Sequence, residues 1–95
     1  MTQSYHHLAH INRDHVLKAD ELQWVVMRVR SPHPDKPLIY TLGGREQLQR
    51  LLRRERIEPD IVGLAEIAAL PTDEERRLEQ RRELQELISK ATDET

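Results

Sequence analysis

Apolar residues crowd together from residue 22: Leu22, Trp24, Val25, Val26, Met27 and Val29 are interrupted only by Gln23 and Arg28. Leu22, Val25, Val26 and Val29 also fit the helical spacing i, i+3, i+4, i+7, so helix and strand both stay open over residues 14–30. Three valines and a tryptophan within six residues favour a strand, because β-branched side chains lose rotamer freedom in a helix. On that reading Leu22, Trp24 and Val26 share one face, and Val25, Met27 and Val29 share the other. Both faces then need cover until Arg28 and Arg30 bring one of them into water. Pro32, Pro34 and Pro37 make a loop of residues 31–37, since each proline lacks a backbone donor and restricts the residue before it. The short run LIYTL (38–42) predicts a second strand, paired antiparallel with the first, and Gly43 and Gly44 end it.

The period then changes to a helical one. Over residues 45–57, Leu48, Leu51 and Leu52 form one stripe, with Arg50, Arg53 and Arg56 round the opposite side. Pro59 stops this helix, and Asp60 is placed to cap a second one over residues 61–70. That helix is apolar nearly all round, with only Gly63 and Glu66 as exceptions, and such a helix is buried in the monomer or at a subunit contact. After Pro71 a third helix opens on the capping box Thr72–Glu75 and three acidic residues, 73–75, that suit its positive end. Glu86 and Lys90 pair at i, i+4. Apart from Leu78 and the patch Leu84, Leu87 and Ile88 it is charged, which predicts a helix that projects or packs through one end. Residues 1–20 hold His6, His7, His10 and His15, four of the five histidines, without a sustained period, and are read as an arm docking on the core.

The expected fold is therefore α+β: a small two-stranded antiparallel hairpin covered by helices 45–57 and 61–70. It divides into an N-terminal arm (1–20), a ββαα core (21–70) and a charged C-terminal helix and tail (71–95).

Composition adds bounds. Ninety-five residues allow one domain with a limited core. The absence of cysteine removes disulfides, thiolate metal sites and a cysteine nucleophile. A net charge of −2 provides no global pull toward nucleic acid or membrane. No apolar run nears the roughly 20 residues that span a bilayer, so a soluble, cytoplasmic protein is expected.

The order WVVMRVR, loop, PLIYTL, then REQLQRLLRRERIEP and IVGLAEIAALP resembles a group of short uncharacterised proteobacterial proteins often found in prophage regions. The likeness spans about residues 22–71 and implies a phage or prophage origin; the group brings no established activity with it.

Candidate chemistry is sparse. His6 or His7 with His10 would lie on one helical face at a spacing that suits two zinc ligands, with only His15 or Asp14 as supplements; solvated histidines explain the same residues, and neither metal nor cofactor is expected. Gly43-Gly44 ahead of a helix could cradle an anion, but the longer phosphate-binding signatures are missing and a tight turn is the better reading. Ser4, Ser31 and Ser89 have no nucleophile-elbow context, so no catalytic residue and no enzyme is expected. Arg28, Arg30, Arg50, Arg53 and Arg56 would form the phosphate-contacting face of a nucleic-acid-binding regulator, against which Glu46 and Glu55 interrupt the helix. The favoured expectation is a small non-enzymatic protein-interaction module, itself a homodimer, with Trp24, Ile61, Leu64, Ile67 and Leu70 at contacts. Replacing Ile67 by Glu would then split the pair or unfold it.

Overall fold

A computed structural model describes residues 5–30 and 37–93. The chain runs β1 (His6–Asn12), β2 (His15–Ala19), β3 (Trp24–Arg28), β4 (Ile39–Thr41), α1 (Arg45–Arg54), α2 (Ile61–Ala68) and α3 (Asp73–Asp93). The four strands form one antiparallel meander in the order β1-β2-β3-β4. This corrects the two-stranded hairpin: the histidine-bearing stretch read as an arm is itself two strands of the sheet. Residues 31–36, with Ser31 and the prolines at 32 and 34, lie outside the described residues, as do Ser4 and the last two positions of the tail.

Side-chain hydrogen bonds account for the hairpin that the pattern concealed. At its turn Asn12 Oδ1 accepts from the Asp14 N–H at 2.9 Å and lies 3.0 Å from His15 Nδ1, a local turn that asparagine makes with its own backbone. Asp20 repeats the device between β2 and β3, accepting from Leu22 N and Gln23 N at 2.9 and 2.8 Å. Burial alone would raise its pKa, but these backbone donors outweigh burial and hold it below the usual carboxylate value. The pairs His7↔Lys18 and Ala9↔Leu17 show β1 slipping past β2, and a second slip lies between His10 and Asn12. These bulges break the period of two by which a strand is recognised.

One face of the sheet carries Ala9, Ile11, Leu17, Ala19, Trp24, Val26 and Ile39, all buried under Leu48 and Leu52 of α1, Ile67 of α2 and Leu70. Val25 and Met27 on the other face are buried too, with Val25 between Lys18 and Tyr40 across the strands, so β3 is apolar on both sides as its sequence requires. The strand is shorter than predicted, leaving Leu22 and Val29 exposed.

The helices are joined by their ends. Gly44 N and Gln47 N at the start of α1 donate to Asp73 Oδ1 at 2.7 and 3.1 Å, and Asp73 N at the start of α3 donates to Glu46 Oε2 at 3.1 Å. Each helix thus supplies the carboxylate that satisfies the other's unpaired N–H groups. A Cβ at Gly44 would overlap the Thr72 carbonyl, which is why glycine stands there. The capping box of α3 forms as its spacing predicts: Glu75 N donates to Thr72 Oγ1 at 3.1 Å and Thr72 N to Glu75 Oε1 at 3.3 Å. Arg76 then lies over the Trp24 ring, 4.8 Å from its centroid, and donates to the carbonyls of Gly43 and Leu22 at 3.3 and 3.2 Å. Burial lowers its pKa, opposed by the nearby Glu79, Glu83 and Asp20.

Candidate interaction surface

The loop after α1 and helix α2 close the outer edge of β1. Asn12 Nδ2 donates to the Glu58 carbonyl at 2.8 Å, Asp60 N to the Ile11 carbonyl at 2.9 Å, and His10 N to Glu66 Oε1 at 3.2 Å. A free strand edge invites pairing with other chains, and this packing blunts it. Asp60 also caps α2 through Gly63 N at 2.7 Å and meets His10 Nε2 at 2.8 Å. The His10 hydrogen bond, followed by the Gly63 N–H, holds its carboxyl below the usual range. The two non-apolar positions of α2 are thereby explained. Glu66 takes the edge N–H, and Gly63 lies so close to β1 that a Cβ would overlap the Ile11 carbonyl.

With Gly63, Ile67 and Leu70 turned inward, the remaining side of α2 faces solvent. At 100° per residue, Leu64, Ala68, Ile61, Ala65, Ala69 and Val62 cover an arc of about 160°, and every one of them is exposed. Ile61 is 86% exposed, Leu64 58% and Val62 56%. No polar side chain interrupts this arc. Beside it a groove of about 640 Å³ opens between α1 and α2, floored by Leu52, Ile57, Leu64 and Ile67 and edged by Arg53, Arg56 and Glu58. Arg56 forms its corner in the left-handed conformation, φ 58°. The Arg56 N–H donates to Arg53 O at 3.2 Å and the Ile57 N–H to Leu52 O at 2.9 Å, the paired bonds that end a helix at such a residue.

The residues expected at contacts therefore separate. Trp24, at 3% exposure, and Ile67 and Leu70 are buried in the chain's own core, while Ile61 and Leu64 are at the surface. An Ile67→Glu change would disrupt the fold whatever the oligomeric state, so Ile61 replaces it as the probe of a contact. Val62, Ala65 and Ala68 of α2 and Ala69 at its C-cap belong to the same surface; the all-round apolar pattern contained them, but only the position of β1 tells which side is free.

The arginines are scattered by their partners. Arg45 donates to the Ala68 carbonyl, Arg50 pairs with Asp73 at 3.5 Å and Arg54 with Glu55 at 3.4 Å. Arg53 and Arg56 have no ion-pair partner among the described residues, and Arg28 and Arg30 are exposed at the end of β3. The anion at the glycine-led start of α1 is the chain's own Asp73. His6 and His7 are exposed on β1, while His10 and His15 are bonded to Asp60 and Asn12. Burial and the nearby Arg28 lower the pKa of His15, with Asp14 opposing. Among the described residues no three histidines or carboxylates gather as metal ligands, and no helix is long and apolar enough to cross a membrane. Comparison of the chain with models of known protein families, with curated proteins and with solved structures finds no match.

Proposed function

We propose that the chain is a small non-enzymatic protein-interaction module that works as a homodimer, with the outward face of α2 in the contact. The observation that carries this reading is the unbroken apolar arc of Ile61, Val62, Leu64, Ala65, Ala68 and Ala69. An exposed patch of this kind on a small protein marks an interaction surface, and closed two-fold pairing is the commonest way to cover one. The resemblance over residues 22–71 adds support for a phage or prophage setting. The nucleic-acid alternative has less support, because Arg50 pairs with Asp73 and the acidic Glu46 and Glu55 interrupt the same stretch, although Arg28, Arg30, Arg53 and Arg56 are exposed.

Ile61→Glu tests the reading without touching the core. A charge in a dry contact should weaken association by about a hundredfold, seen in sedimentation as a shift toward monomer with an unchanged circular dichroism spectrum. A variant that keeps the mass of a wild-type dimer would remove α2 from the contact.

A further inference from the structure

One chain carries two concave surfaces of opposite charge. The first is the α1–α2 groove, where Arg53 and Arg56 outnumber Glu58 over an apolar floor. The second is a cleft of about 450 Å³ between the β2–β3 turn and the far half of α3, lined by Glu21, Glu83, Glu86, Leu87 and Lys90. Every residue over 81–91 is exposed, so this part of α3 presents most of its side-chain surface to solvent. At 100° per residue Leu87, Ala91, Leu84 and Ile88 make a stripe about 100° wide, with Glu83, Glu79 and Glu86 along one flank, where Lys90 is the one basic residue among them. Anchors spaced i, i+3, i+4 and i+7 are what a helix lays into a groove.

We infer that the far half of α3 of a second copy occupies the α1–α2 groove, with Leu84, Leu87 and Ile88 against Ile57 and Leu64, and with Glu83 and Glu86 facing Arg53 and Arg56. The inference rests on the homodimer reading and names the segment that provides the cover. A two-fold axis makes the contact twice, each copy giving its α3 and receiving its partner's. Opposite charge along one flank sets the direction in which the helix enters. The arrangement covers two exposed parts of the monomer, the far half of α3 and the α1–α2 groove.

The experiment uses the full chain in three forms, followed by sedimentation equilibrium. Leu84→Glu with Ile88→Glu changes two residues exposed in the monomer, and should raise the dimer dissociation constant by about a hundredfold or more. Arg53→Glu with Arg56→Glu should raise it by about tenfold. Adding Glu83→Arg and Glu86→Arg to that second variant should restore most of the loss, a rescue that general destabilisation would not give. If the Leu84/Ile88 variant stays dimeric while Ile61→Glu dissociates, the inference is overturned and the homodimer stands. If the charge-reversed pairs fail to rescue, α3 does not lie in the groove. A wild-type chain that is monomeric at high micromolar concentration overturns both readings together.

Discussion

Arg56 ends α1 with φ at 58°, a conformation in which a Cβ crowds the following carbonyl and which glycine adopts without that penalty. Arg56→Gly should therefore raise the unfolding free energy by about 0.5–1 kcal/mol in urea titration, while Arg56→Ala, which removes the same charge but keeps the Cβ, should give no such gain. Equal effects from the two would mean that the charge and not the backbone decides. Trp24 presents the opposite case, a side chain closed on every side. It shares the core with Ala19, Val26 and Leu48 and is roofed by Arg76. Trp24→Ala should cost about 3–5 kcal/mol by the large-to-small rule; an unchanged thermal midpoint would contradict its place in the core.

At the scale of elements, α2 against β1 is the join on which the fold turns. Alanine is ordinarily favoured over glycine inside a helix by about 1 kcal/mol, but Gly63→Ala should destabilise by about 1–3 kcal/mol, since the added methyl meets backbone that cannot yield. A gain in stability on chemical denaturation would show that α2 lies farther from β1. The strand pair β3–β4, the three helices, the Asp60 cap and the Thr72–Glu75 box were all legible in the sequence, because each rests on neighbours in the chain. The hairpin β1–β2 was not. Its two bulges scramble the alternation of Leu8, Ala9 and Ile11, and the histidines between them suggest a solvated arm. The signals that remained were Asn12 and Asp20, each a turn-former two residues before an N–H it could bind. The contact surface was half legible for a similar reason: the apolar run of residues 61–70 announces burial, but which of its residues face inward depends on a strand some fifty positions earlier, as the Asp60–Ile11 and Glu66–His10 bonds illustrate.

On the scale of the whole molecule, the shape is extended. The radius of gyration is 15.3 Å and the principal extents are 51 × 31 × 20 Å, whereas a compact chain of this length has a radius of about 12–13 Å. The far half of α3 and the outer face of α2 are its two uncovered parts, and a chain of this size has little core energy with which to hold an isolated helical extension. The proposed self-association would cover both. The most direct test is the mass of the wild-type chain in solution, by light scattering or sedimentation equilibrium at micromolar concentration. The account predicts twice the 11.2 kDa of one chain, falling toward one chain on dilution; a mass of 11.2 kDa throughout, up to high micromolar concentration, would contradict it.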